Sequence, residues 1–364
     1  GLIVGTLDGL NTISTSDKVV KSKANSSLFF VHMGASMQIR VYADRIDLAQ
    51  NSSGQLQTIK LSESIKVGPS SIFTTTENIL AINNGNALTL IDLETASILS
   101  PNIKIGIEDT PVSNLKGIDN FIFVSTGNGI QRFQLPITPD KARYKTQFIE
   151  SMVSFEYNAL LNNKIPRSFF DIEKIDGEYW ITSPDLGLSV HSENLDIQFR
   201  NYSYREGDNK TLASKAVDKI LYDKDRKIIY VSTRGDGLFR YNLESEYFEN
   251  ISMSDGLLSN NIYDLLLDSE KNIWLLTGEG INYISENSIR NINYEDGLVA
   301  TGYLKSALHQ LGEEIYVAGS GVDQYFFLDS INTPSKPGSV HLVKIVGLDS
   351  VNKKYSLALS VDSK

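Results

Sequence analysis

Ile228-Ile229-Tyr230-Val231-Ser232-Thr233-Arg234-Gly235-Asp236-Gly237-Leu238 spells out a β-hairpin. A β-branched and aromatic strand runs into a Ser-Thr pair, a Gly- and Asp-rich loop supplies positions that tolerate φ > 0, and Leu238 opens the returning strand. The same arrangement recurs at Leu2 to Leu10, Phe121 to Ile130, Asn272 to Ile281 and Glu314 to Val322. A further copy, Tyr179 to Leu188, carries one extra residue in its turn. Two degenerate copies lie at Asn78 to Leu88 and Met37 to Ile46.

These eight cores are spaced by roughly 36 to 58 residues, the period of a propeller blade. Further strands flank the hairpins. Ile262-Tyr263-Asp264-Leu265-Leu266-Leu267, Phe169 to Ile172 and Val217 to Leu221 precede one, while Tyr247 to Ile251 and Ser288 to Ile292 follow one. Four short antiparallel strands per repeat describe a blade, and radial repetition leaves only short, protected edges. The fold class expected is therefore all-β: a single β-propeller of seven or eight four-stranded blades.

Two stretches break the period. Residues 136–166 lengthen one interval, and Phe148, Met152 and Phe155 there fall at helical spacing beside Ile149 and Val153. A short helix accounts for them, and so does an extended outer strand from Tyr144 to Ser151. After Asp329, Ile331-Asn332-Thr333-Pro334-Ser335-Lys336-Pro337-Gly338 is punctuated as a linker. Val340 to Val346 and Tyr355 to Val361 then alternate like strands, in a tail too short to be a domain alone. The division expected is a propeller over residues 1–330, a linker over 331–339 and the beginning of a second domain over 340–364. At the other end, Gly1 is preceded by no initiator Met or leader, as in an excised or mature segment.

Composition narrows the chemistry. With 364 residues, 41% hydrophobic and 21% charged, the chain can bury a core, and it has no apolar run long enough to span a membrane. A net charge of −10 without a dense Lys/Arg cluster argues against nucleic-acid binding. The absence of cysteine removes disulfides, thiolate metal sites and Cys nucleophiles. His32, His191, His309 and His341 show no metal-ligand spacing, and Asp223-Lys224-Asp225 lacks the glycine and bidentate Glu of a calcium loop. No nucleophile elbow, phosphate loop or dinucleotide fingerprint is present, so no metal and no cofactor is expected. Asn-x-Ser/Thr triplets at Asn25, Asn51, Asn201, Asn209 and Asn250 read as chance.

Asp255-Gly256-Leu257-Leu258-Ser259-Asn260-Asn261-Ile262, running on to Ile273-Trp274-Leu275-Leu276-Thr277-Gly278-Glu279-Gly280-Ile281, resembles the two-component regulator propeller family. That family's repeat is approximately Asp-Gly-Leu, a polar stretch, a strand, Asp-x-x-Gly, Leu-Trp-Ile-Gly-Thr and x-x-Gly-Leu. Lys271 and Asn272 stand where it usually has Gly. Glu295-Asp296-Gly297-Leu298 opens another copy, and the segment from Pro337 resembles the first strands of the Ig-like β-sandwich that follows such propellers. The resemblance implies the extracytoplasmic, periplasmic sensor part of an inner-membrane histidine kinase, hybrid two-component protein or diguanylate cyclase. It also implies a small-molecule or oligosaccharide ligand and a homodimeric receptor, with no membrane contact by this segment itself.

In propellers the turn between the second and third strands shares a face with the loop leading into the next blade. On that basis Asp8, Asn128, Asp185, Arg234, Asp236 and Glu279 ring one channel mouth, joined by Asn114, Arg167, Lys215, Asn261 and Tyr303. Such a ring of carboxylates, amides and cations suits the hydroxyls of a sugar, and its Arg and Lys side chains suit carboxylate or sulfate. Hairpin turns demand Asp, Asn and Gly in any case, so the two arginines are the more telling members. Trp180 and Trp274, with Tyr230 and Tyr316 in equivalent places, read as packing between blades before they read as a stacking platform. No residue is assigned a catalytic role. A ligand sensor is the leading reading; a propeller-fold polysaccharide lyase or glycoside hydrolase using channel-mouth acids is the alternative, and a protein-interaction scaffold the second.

Overall fold

A computed structural model describes residues 2–6, 9–13, 28–33, 37–42, 44–50, 55–61, 72–75, 79–83, 87–104, 112–126, 129–136, 144–156, 166, 168–195, 198–202, 211–212, 214, 216–286, 288–293, 298, 303–311, 314–319, 323–327, 344–348 and 354–357. Among them the chain folds into eight antiparallel sheets, each a meander of consecutive strands. Sheet 1 is the hairpin of residues 2–13. Sheets 2 to 7 have four strands each, within residues 28–60, 72–104, 114–156, 171–201, 217–251 and 262–292. Sheet 8, residues 303–357, has five.

Every one of the eight hairpin cores is found. Sheet 1 consists of one of them alone, and each of the others forms the second and third strands of its sheet in chain order, the two degenerate copies included. In sheet 6, Ile228↔Asn242 through Ser232↔Leu238 pair in register, with Val217–Asp223 added on one side and Tyr247–Ile251 on the other.

The chain divides into two compact units, residues 1–64 with 266–364, and residues 65–265. In the second unit, neighbouring sheets bury their faces against one another. Ile79, Leu90, Val124 and Phe133 pack sheet 3 on sheet 4, and Phe123, Ile130, Tyr179 and Ile181 pack sheet 4 on sheet 5. Trp180, Val190, Val231 and Tyr241 pack sheet 5 on sheet 6. Tyr179 and Trp180 thus face opposite sheets, as period-two side chains must, and both are buried. This two-sided burial is why the central strands read as continuous apolar runs. In the first unit, strand Tyr303–Leu311 lies against both Ile273–Thr277 and Leu28–Met33. Gln310 ties sheet 8 to the Ser269 turn by two hydrogen bonds of 2.8 Å.

The stretch over 136–166 holds a helix, Tyr144–Glu150, where an extended strand had fitted the sequence equally well. Phe148 stacks on Phe133 at 4.7 Å, which seats the helix on sheet 4. Ser151 ends it by donating to the Phe148 carbonyl at 2.7 Å, and Val153–Glu156 then forms the outer strand of the sheet. At the C-terminus, Lys344–Leu348 pairs with Asp323–Phe327, and Lys354–Leu357 pairs with Lys344–Leu348. The tail is hydrogen-bonded into sheet 8 as its fourth and fifth strands. The linker, residues 331–339, lies outside the described residues.

Candidate ligand-binding site

In sheets 4 to 7 the hairpin turn is closed by the Ser or Thr that ends the second strand. Thr233 Oγ1 donates to the Gly237 carbonyl at 2.8 Å and accepts the Asp236 amide at 3.0 Å. Thr277 does the same with Gly280 at 2.9 Å and Glu279 at 3.2 Å. Ser183 accepts the Leu186 amide at 3.1 Å, and Thr126 donates to Gly129 at 3.3 Å. The recurring hydroxyl and glycine are one device. Gly237 sits at φ +84° with the Ile251 carbonyl only 2.3 Å from where a Cβ would stand, so nothing larger fits.

Asp185, Arg234, Asp236 and Glu279 all occupy these turns and are exposed, as the repeat pattern predicts. Asp8, Asn128, Arg167 and Lys215 lie outside the described residues. Tyr303 begins the first strand of sheet 8, opposite Gly319. Asn114 is buried, and its Nδ2 donates to the Phe169 carbonyl at 3.3 Å and to that of Phe170. That amide clips sheet 4 to sheet 5, a structural task.

Arg234 gathers the site. Its Nε donates to Asp218 Oδ2 at 2.8 Å, and its guanidinium carbon lies 5.4 Å from the centre of the Phe170 ring. Its backbone bridges to Asn261 and takes the Ala216 carbonyl at 2.9 Å. One side chain and its peptide therefore bring together the segments leading into sheets 5, 6 and 7. The Arg234 side chain stays 59% exposed. Among the described residues, its Nη edge meets no hydrogen-bond acceptor. Asn260 fixes the backbone beneath it, its carbonyl receiving the Gly235 and Gly237 amides at 3.2 and 3.0 Å. Asp236 stands in the same turn and Tyr263, 52% exposed, two residues beyond Asn261. A planar donor fork, an exposed carboxylate and an accessible aromatic ring are the parts that hydrogen-bond and stack against a hydroxyl-rich ligand.

Beside this cluster runs a line of charges on the first strands, which single-residue reasoning missed. Lys116 Nζ sits 2.7 Å from Asp171 and 3.7 Å from Glu173, and Lys219 pairs with buried Asp264. Burial alone would raise the Asp171 carboxyl, but Lys116 and Lys219 outweigh it and hold it below the usual carboxylate range. Lys116 is likewise held above its ordinary value by Asp171 and Glu173 in spite of burial. Glu173 moves the other way, pushed up by burial and by Asp171 beyond what Lys116 offsets. The only sequence signal was the Asp218-Lys219 pair between apolar Val217 and Ile220, which breaks period-two alternation.

The remaining candidates are structural. Trp180 is buried in an aromatic pile with Tyr202 and Tyr241, 5.7 and 5.8 Å away, and Trp274 donates its indole N–H to Asp268 at 2.9 Å. Asp268 also accepts the amides of Glu270 and Asn272, which makes it the organiser of its turn. Lys271 there adopts φ +67°, the reason a glycine suits that position. Asp223 plays the equivalent part in sheet 6, accepting the amides of Asp225 and Arg226. His191 is fully buried with Nε2 2.9 Å from Ser189 Oγ. Among the described residues, no cluster of three His, Asp or Glu side chains could hold a metal ion. Nor is any helix long and apolar enough to cross a membrane.

Residues 256–279 match the model of the two component regulator propeller family. Two crystal structures of the extracellular domain of BT4673 from B. thetaiotaomicron share the fold. One is ascribed to a one-component system, with a TM-score of 0.58 and 10% identity over 94% of this chain and 47% of that one. The other is ascribed to a hybrid two-component system, with a TM-score of 0.56 and 10% identity over 93% of this chain and 46% of that one. The chain thus spans about half the length of these relatives. The WD40 β-propeller domain of Doa1 is similar with a TM-score of 0.53 and 12% identity, over 81% of this chain and 90% of that one. No curated protein matches the chain. Its fold is that of a β-propeller.

Proposed function

We propose that this chain, a β-propeller carrying a repeat of the two-component regulator propeller family, is the ligand-sensing extracytoplasmic domain of a bacterial membrane signalling receptor. The observation that carries the reading is the match over residues 256–279, supported by likeness to the extracellular domains of BT4673. Within that frame the chain is a binding module and not an enzyme. It lies on the periplasmic side of an inner membrane, belongs to a homodimeric receptor, and passes a conformational signal to a cytoplasmic output domain. The proposed division places the propeller at residues 1–330, with residues 340–364 leading into an Ig-like module. The ligand is a small molecule or glycan fragment seated on Arg234, Asp236 and the exposed ring of Tyr263. Ligand binding shifts a receptor equilibrium only through contacts that differ between its states, and a site spanning the approaches to three sheets is suited to that.

A thermal-shift screen against oligosaccharides and small metabolites tests the reading, because a ligand that binds only the folded chain raises its melting temperature. At ligand concentrations about a hundredfold above Kd the gain is about 2.7 kcal/mol, a shift of several degrees. The shift disappears in Arg234→Met. No shift from any compound counts against ligand sensing. Cleavage of a polysaccharide panel by the purified chain, lost in Asp236→Asn, replaces the sensor with the enzyme.

A further inference from the structure

Strand Val217–Asp223 does not pair regularly with Ile228–Thr233. Val217 lies opposite Thr233 and Ile220 opposite Val231, so Asp218 and Lys219 together face the single residue Ser232. This is a β-bulge, a device that re-aims side chains and sits preferentially beside functional sites. Its polar groups are bound in three directions. The Asp218 carbonyl accepts Thr182 Oγ1, and the Ile220 amide donates to Asp171 Oδ2 at 3.2 Å, both in sheet 5. The Lys219 amide donates to Ser232 Oγ at 2.9 Å within sheet 6, and Lys219 Nζ pairs with Asp264 of sheet 7. The Asp218 carboxylate meets Arg234, which alone of these partners is largely exposed.

Building on the ligand-sensing reading, we propose that the Asp218-Lys219 bulge couples Arg234 to the first strands of sheets 5 and 7. A ligand that engages the Arg234 fork changes the charge felt by Asp218. Because the Asp218 backbone and the neighbouring Lys219 are pinned to different sheets, strain at this residue is shared by Thr182, Asp171 and Asp264. The bulge is then the regulatory part of the site: it turns occupancy of a surface turn into a changed contact between adjacent sheets. Arg234 and Asp264 are held by successive residues of one bulge, so removing either alters what the other contributes.

A double-mutant cycle with Arg234→Met and Asp264→Asn, read by urea unfolding of the whole chain, measures this coupling without a ligand. The combined variant is expected to lose less stability than the two single losses predict, by about three- to tenfold in the unfolding constant. Additive losses overturn the proposal. Should Asp264→Asn fail to fold, hydrogen exchange in Arg234→Met alone decides. The amides of Ile220 and Leu265, the latter bonded to Asp264 Oδ1 at 3.0 Å, are expected to exchange faster, by about tenfold. Unchanged exchange at both overturns the coupling. Neither readout involves a ligand, so a null result there leaves ligand sensing standing, and a failed ligand screen leaves the cycle interpretable.

Discussion

His191 is a neutral imidazole by force of its surroundings. Burial lowers its pKa from 6.5 to about 4, and Ser189 is its hydrogen-bond partner. The unfolded chain protonates this ring as pH falls through 6.5, whereas the native chain does not until about pH 4. The unfolded state therefore binds more protons across that window, and stability is lost as pH falls from 6.5 towards 4. Between pH 7.5 and pH 5 this one group accounts for about 2 kcal/mol. His191→Gln, which cannot take up a proton, should show a correspondingly shallower fall in urea midpoint over the same range. An equally steep fall in the variant would assign the acid sensitivity elsewhere. In the sequence His191 was distinguished only by lacking the spacing of a metal ligand. Its position in a strand was legible from Gly187 to His191, but its burial depends on the sheets before and after it in the chain, which no local pattern places against it.

At the scale of the hairpin, the sequence is at its most legible, because the hydrophobic strand, the terminal hydroxyl and the glycine all lie within a dozen residues. Thr233 is fully buried, and its hydroxyl both donates to Gly237 and accepts from Asp236. Thr233→Val keeps the shape and the β-branch while leaving a carbonyl and an amide without that partner. A loss of about 1–2 kcal/mol is expected in the unfolding free energy, with a weaker grip on the Arg234-Gly235-Asp236 turn. An unchanged denaturation midpoint would mean that the backbone bond from the Thr233 amide to Gly237, 3.1 Å, closes the turn unaided. The site above this turn was only half legible. Arg234 stood out because neither turn chemistry nor strand propensity calls for it. Its partners Phe170 and Asp218 lie 64 and 16 residues earlier and meet it through a bulge that no local pattern encodes in full.

Over the whole chain, the period fixed the number of hairpins, while the ends of the repeat array were harder to read, since a strand that completes a sheet from across a linker has no periodic neighbour. The C-terminal tail shows the difficulty. Its alternation suggests the opening of another module, yet Lys344–Leu348 takes the place beside Asp323–Phe327 that a blade's outer strand occupies. If that pairing stabilises sheet 8, a chain ending at residue 330 leaves Asp323–Phe327 as an unpaired edge, with its N–H and C=O groups open to association. Such a truncation should melt lower than the full chain by about 3–6 °C, while one ending at residue 350 keeps the pairing strand and recovers most of the loss. If residues 340–364 instead contribute only to a following Ig-like module, both truncations melt with the full chain. Differential scanning calorimetry of the three chains separates these outcomes, and with them the boundary of the propeller.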